Sequence, residues 1–265
     1  MAAIPLPREI EIEYPESDGK PMAESDIHRE VMMHVIEGLQ DHFLADPEMY
    51  VTGNLLLYYE RGNRSAAVAP DVFVVRGVPK GRRKTYLLWR EHEAPCFVLE
   101  VTSESTRDED LDTKKGRYAR LGVEDYFLFD PLGDYLTPRF QGFRLIRDEY
   151  KPIRPEADGS LVSRTLGLTF MPQGTTLRMT DVKTGRQLLG YAEWKERAQA
   201  AEARAVQAEA RAVEAEERVA EAEARIRALA EELERLRSNQ LDSDMDEDLR
   251  ELGGTLADIS DPWKR

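Results

Sequence analysis

Two acidic residues stand where a chain rarely tolerates charge. Glu100 follows the apolar residues Phe97, Val98 and Leu99 and precedes Val101, a run that reads as a strand buried on both faces. A carboxylate there is costly unless a cation pairs with it or a metal binds it. Asp71 follows Pro70 at the entry to a second apolar stretch, Val72 to Val75. Two acids at the ends of neighbouring strands can share one hard cation through oxygen ligands, and magnesium favours few carboxylates plus several waters. Such a metal lowers the pKa of a bound water and stabilises a pentavalent phosphate. The competing reading of Asp71 is a strand-entry acid bonded to backbone amides.

Sites of this kind usually carry a cation near the attacking water. Thr102, two residues after Glu100, cannot supply it, but the following segment can. On a helical wheel with Leu111 at zero, Tyr118 falls near about 340°, Leu121 near about 280° and Lys114 near about 300°, inside the apolar stripe; Lys115 falls near about 40°, at its flank. A lysine centred on a buried face should meet a buried acid, and Glu100 is on the preceding strand. Glu100 is therefore offset by a metal, by Lys114, or by both; a structural buried ion pair of Glu100 and Lys114 is the plainer alternative. His28 lies one position after the apolar Ile27 of an earlier helix and reads first as a satisfied structural histidine, with support of a metal site as the alternative. Glu24, one turn before it, reads as a solvated helix start or as a third acid of that site. Lys80, Arg82, Arg83 and Lys84 form the basic run "KGRRK", either a solvated loop or phosphate contacts. Asp130 ends the apolar "DYFLFDP" and is expected to bond turn amides rather than metal.

These residues must be positioned by a mixed α/β order of elements. A helix begins near Glu24, with Ile27, Val31, Val35 and Leu39 on one face and Ser25 or Asp26 as its cap. "MYVTGNLLLYYE" reads as a strand with a turn or bulge at Gly53-Asn54. The strands at Asp71 and Glu100 follow, separated by the basic loop. A helix with acids in its first turn ends at Gly122. The strand "DYFLFDP" and several short strands over 133–190 complete the pattern, which belongs to neither a helical bundle nor a sandwich.

After Tyr191 the composition turns to Ala, Glu and Arg. From Trp194 to Leu236 apolar residues alternate in steps of four and three, with Ala198 and Leu233 at a positions and Ala201 and Leu236 at d. Self-association as a parallel coiled coil is the functional reading; a solitary or folded-back helix is the other. The division expected is a domain over 1–192, a coiled-coil helix over 193–238 and an acidic, flexible tail over 239–265 with room for one short helix near Leu249.

The chain has 265 residues, 41% of them hydrophobic, enough for one substantial core plus an appendage. A single cysteine, Cys96, excludes an internal disulfide framework and a cysteine-rich zinc site and suits the cytoplasm. Neither a signal peptide nor a membrane span is read from the sequence. The net charge of -14 argues mildly against a constitutive nucleic-acid binder, although much of it lies in the C-terminal third.

Pro70-Asp71 followed by "LEVTS" resembles the PD-(D/E)xK nuclease superfamily. The longer stretches "SDGKPMAESDIHREV", "GNLLLYYERGN", "VAPDVFVVRGVPKGRRKTY" and "FVLEVTSESTRDEDLDTKKGRYARLGVEDYFLFDP" resemble the Uma-two family of endonucleases, over about residues 14–192. The resemblance implies a restriction-endonuclease-like mixed sheet flanked by helices. It implies Asp71 and Glu100 as magnesium ligands (manganese could replace magnesium), the Val101 carbonyl facing the same metal, and the superfamily lysine moved from the slot of Thr102 to Lys114. The function implied is magnesium-dependent hydrolysis of DNA; the heptad seam over 193–238 would join two copies as a homodimer. The alternative is a non-catalytic binding or assembly module on a nuclease-like scaffold.

Overall fold

The computed structural model describes residues 13–17 and 25–256, the side chains of 191–192 and 238–256 excepted. In chain order the elements are α1 (Asp26–His42), β1 (Met49–Thr52), β2 (Leu57–Tyr58), β3 (Ala67–Val68), β4 (Val72–Arg76), β5 (Tyr86–Leu87), α2 (Leu88–Glu91) and β6 (Phe97–Val101). They continue with a π-helical turn (Glu109–Lys114), α3 (Lys115–Leu121), β7 (Asp125–Phe129), β8 (Phe140–Ile146), β9 (Glu149–Pro152), β10 (Leu161–Ser163), β11 (Leu168–Gln173), β12 (Thr176–Asp181), β13 (Gln187–Leu188) and α4 (Tyr191–Leu256). This is the mixed α/β architecture read from the sequence.

A six-stranded sheet in the order β1-β4-β6-β7-β8-β9 organises the first compact unit, which ends at Glu196. Its pairs are antiparallel except β6 and β7. A parallel pair needs a crossover, and the π turn with α3 supplies it. β6 and β7 are buried at every residue, which is why both read as continuous apolar runs. On one face, Phe97, Leu99 and Val101 pack with Val31, Val35 and Leu39 of α1 and with the four-stranded sheet β10–β13. On the other, Val98 and Phe73 pack with Tyr118 and Tyr126, against which Leu111 and Leu121 rest. The stripe on the wheel is therefore the packed stripe. Gly122, at φ 81°, stops α3 as expected.

Ser25 caps α1 by accepting the His28 amide at 3.1 Å. The stretch "MYVTGNLLLYYE" is two strands in different sheets rather than one bulged strand, because the chain leaves β1 at Gly53 and Asn54 turns at φ 49°. The long helix also differs from expectation. It continues past 238 to Leu256, since no proline and no glycine before Gly253 interrupts it. Among the described residues no helix is long and apolar enough to cross a membrane.

One glycine bears on the placement of Asp71. The Asn54 amide donates to the Pro70 carbonyl at 2.8 Å, drawing the two chain segments together. A Cβ at Gly53 would collide with the Asp71 carbonyl oxygen and lie 2.7 Å from Ile36 Cδ1. We expect Gly53→Ala to destabilise the chain by about 1–3 kcal/mol in urea unfolding, the usual cost of overpacking. An unchanged midpoint would mean that the contact relaxes freely.

Candidate active site

The β4–β6 register pairs Val72 with Leu99, so continuing it by one residue sets Asp71 opposite Glu100. Directly opposed residues of an antiparallel pair share a face, and here it is the face covered by α3. The two acids come together without being left bare. Asp71 Oδ2 accepts the Val101 amide at 2.7 Å, and its Oδ1 lies 3.1 Å from His28 Nε2. Glu100 is fully buried; its Oε2 accepts from Lys114 Nζ at 3.0 Å and its Oε1 from the Tyr118 hydroxyl at 2.6 Å. Lys114 also reaches Asp110 Oδ1, at 2.9 Å.

The wheel places Lys114 correctly but misses Asp110 and the role of Tyr118. Asp110 sits in the acid-rich run "RDEDLD", which reads as a solvated first turn. The available signal was its spacing of four residues before Lys114. Lys115 lies over the Phe143 ring, 3.6 Å from its centroid, and does not belong to the acid cluster. Glu24 lies outside the described residues.

A cavity of about 1030 Å³ opens beside these groups, lined among others by His28, Asp71, Val101, Thr102 and Lys114. None of Lys80, Arg82, Arg83 or Lys84 lines it. Lys80 is committed to the carbonyls of Phe43 and Leu44, at 2.6 and 2.9 Å, beyond the end of α1. Arg83 is held by both Glu91 oxygens and stacks 4.2 Å over Tyr50. Lys84 pairs with Glu16, a residue of the cavity wall, and Arg82 is exposed. Asp130 accepts four amides of its own turn, from Leu132, Gly133, Tyr135 and Leu136, as its position at a strand end suggested.

Charge at the site is unbalanced. Among the described residues, the acids Asp71, Glu100 and Asp110 all act on one ammonium, that of Lys114. Burial, partly offset by Lys114, holds the Glu100 carboxyl well above the usual carboxylate range, and Asp71 and Asp110 push the same way. Burial likewise raises Asp110. For Lys114, burial acts downward but the three carboxylates outweigh it, so the ammonium is held charged. Among the described residues no three His, Cys, Asp or Glu side chains are arranged to hold a metal alone. Two carboxylates, a main-chain carbonyl and water are nonetheless a donor set that a magnesium-type ion accepts. The Thr102 hydroxyl, buried on the cavity wall with no hydrogen-bond partner, is a polar atom that a water or ligand there would satisfy. Asp71, Val101 and Thr102 line the cavity while Glu100 does not; the donor types present suit a divalent cation.

The family model Uma2, described as "Putative restriction endonuclease", matches residues 2–177. The chain belongs to the Uma2 family. Its similarity extends to a crystal structure titled as "a putative nuclease belonging to DUF820" from Anabaena variabilis ATCC 29413: 14% identity, TM-score 0.42, with 58% of this chain and 86% of that chain covered. No curated protein matches. As an Uma2 chain, this protein carries a restriction-endonuclease-like domain followed by a long helix.

The electrostatics give a prediction that separates a functional acid from a structural ion pair. Glu100 keeps its proton to higher pH folded than unfolded, so its contribution to stability declines as pH rises from the ordinary glutamate range. In chelator, Glu100→Gln should equal or exceed the wild type by up to about 2 kcal/mol, the size of an ordinary stabilising substitution. The difference should grow between about pH 5 and pH 8. Urea unfolding across that interval measures it. A Glu100→Gln chain clearly less stable at all pH values would mark the pair as structural.

Proposed function

We propose that this Uma2 chain is a magnesium-dependent endonuclease that hydrolyses phosphodiester bonds of DNA. The observation that carries the reading is the Lys114 ammonium, buried between Glu100 and Asp110 and lining a cavity with Asp71 and Val101. Asp71, Glu100 and the Val101 carbonyl would hold the ion. Bound there, magnesium supplies an acidified water and offsets phosphate charge. His28 orients Asp71, and the Val101 amide fixes its other oxygen. Asp110 and Glu100 keep Lys114 protonated, and its ammonium donates to the attacking water or to a phosphate oxygen as charge develops. As the water oxygen bonds to phosphorus it gives up a proton to solvent, the phosphorus–oxygen bond to the leaving sugar breaks, and the departing oxygen takes up a proton from solvent. Arg82 and Lys84 are the members of the basic loop whose exposure suits phosphate contact. Helix α4 would pair two copies, giving two sites per assembly, and the single buried thiol suits the cytoplasm.

One observation favours the alternative of a non-catalytic module. Glu100 is wholly buried with both oxygens engaged. A carboxylate oxygen has two lone pairs, so these bonds leave acceptor capacity for an ion.

The test is incubation of the purified chain with supercoiled, linear and branched DNA in magnesium, manganese or chelator. Lys114→Ala should lower the cleavage rate about 10²-fold or more, the loss typical of one electrostatic contact in a site. It should keep magnesium-dependent thermal stabilisation, which reaches about 2.7 kcal/mol at a hundredfold excess over Kd. Glu100→Ala should lose cleavage and metal stabilisation together, and Lys115→Ala should change neither. Metal-independent stability with no cleavage of any DNA would leave the binding module as the reading.

A further inference from the structure

Helix α4 presents an apolar stripe to solvent. Along the seam Val219, Ile226, Leu229, Leu233 and Leu236 are each 52–66% exposed in the single chain. The residues flanking the seam identify what covers it. With Ala198 at a, the g positions are Arg197, Arg204, Arg211, Arg218 and Arg225, without exception arginine over five heptads. The e positions are Glu202, Glu209, Glu216 and Glu223, then Ala230, which leaves Arg225 without a charged partner. In a parallel coiled coil each g residue faces the e residue of the next heptad on the second strand. Arg197 then meets Glu202, Arg204 meets Glu209, Arg211 meets Glu216 and Arg218 meets Glu223. In an antiparallel coil g faces g and e faces e, which sets arginine on arginine and glutamate on glutamate.

The polarity reverses once, at Glu232 (g) and Arg237 (e), which also complement each other in register. Sliding one copy by a heptad sets Arg225 against Arg237 on one flank. The alanine heptads alone would tolerate such a slip, since they bury little area and their Arg–Glu pattern repeats unchanged. The reversal does not tolerate it. Charge at e and g is what selects partner and orientation in coiled coils, as much by repelling wrong arrangements as by attraction.

We propose that the α4 helices of two copies pair in parallel and in register, with the g-position arginines and e-position glutamates fixing orientation and the Glu232–Arg237 reversal fixing register. The inference rests on the pairing proposed above and adds to it. Both copies of the nuclease domain are then tethered at the same end of the coil, by chain connectivity alone.

The experiment uses the full chain. Its one natural cysteine, Cys96, is buried, so an introduced cysteine reports alone. Ala208→Cys, at d, should form an intermolecular disulfide on mild oxidation, because a disulfide needs Cα atoms within about 7 Å. An equimolar mixture of Ala208→Cys and Ala215→Cys chains should give the two homodimers and little mixed product. Light scattering runs alongside. A monomeric mass overturns the pairing itself. A dimeric mass with no Ala208→Cys disulfide, or with the mixed product dominant, leaves the pairing and overturns its orientation or register. As a second arm, the double variant Arg204→Glu, Arg211→Glu should weaken association at least tenfold. Mixing it with Glu209→Arg, Glu216→Arg chains should restore association as heterodimer. Failure to restore it would refute the g–e assignment.

Discussion

The first compact unit depends on one shared proton-bearing group, the Lys114 ammonium. Glu100 and Asp110 are each almost wholly removed from water, at 0% and 1% exposed, and Lys114 is the cation within reach of both. Removing the Lys114 ammonium would strand two buried acids, a loss commonly of about 3–5 kcal/mol, whereas neutralising Glu100 leaves Lys114 paired with Asp110. Yet this arrangement is not an optimised structural pair. One ammonium between two buried acids, with Asp71 opposite Glu100, leaves a deficit of positive charge among the described residues unless Glu100 keeps its proton or a cation enters. An apolar crossover would have been cheaper. The deficit has an explanation if a cation completes the site.

Several features exist to hold that group in place. The parallel β6–β7 pair forces a crossover, and the crossover begins with a π-helical turn at Glu109–Lys114. π turns occur often at functional sites, where the wider turn re-aims side chains. Here Lys114 reaches both Asp110 and Glu100, while the Asp110 carbonyl accepts the Tyr126 hydroxyl at 2.8 Å and ties the turn to β7. From the other side, α1 brings His28 to Asp71, its start fixed by the Ser25 cap. Asp71 is thus held from β6 and from α1, and Glu100 from the crossover. Asp130 contributes in a different way: by collecting four turn amides it shapes one wall of the cavity without being a ligand candidate.

How much of this was legible follows from which interactions leave a local trace. Glu100 was visible because a carboxylate in an apolar run violates a strand's expected pattern. Lys114 was visible because apolar periodicity survives in "LDTKKGRYARL" even though its first turn is π and not α; the phase error over so short a segment is small. Asp110 left no such trace, since an acid near a helix start is ordinary and its burial comes from tertiary packing. The split of "MYVTGNLLLYYE" into strands of two sheets was equally hidden, because a glycine and an asparagine mark a turn, a bulge or a departure alike. The basic run failed for another reason. Charge in a loop says nothing about its partners, and Lys80 and Arg83 are spent on two carbonyls beyond α1 and on Glu91. The end of the seam at Leu236 was mistaken for the end of the helix, although loss of heptad spacing does not itself stop a helix.

An acidic chain proposed to act on a polyanion poses a question of affinity. Binding to nucleic acid draws much of its strength from counterion release by lysines and arginines, and a chain of net charge -14 has no general positive field to offer. The cavity walls add Glu16, Glu104 and Glu109 to the site acids. On the proposed reading attraction would be local, supplied by a bound divalent ion and by Lys114, the lysine that lines the cavity. Weak single-site binding of that kind gains most from a second site on the same assembly, where linkage raises the effective concentration without any new contact. The charge pattern of α4 meets this need in a particular way. At the e and g positions over 197–237 six arginines and five glutamates nearly cancel, so they can specify a partner copy without adding to the repulsion that the helix's other acids exert on a polyanion.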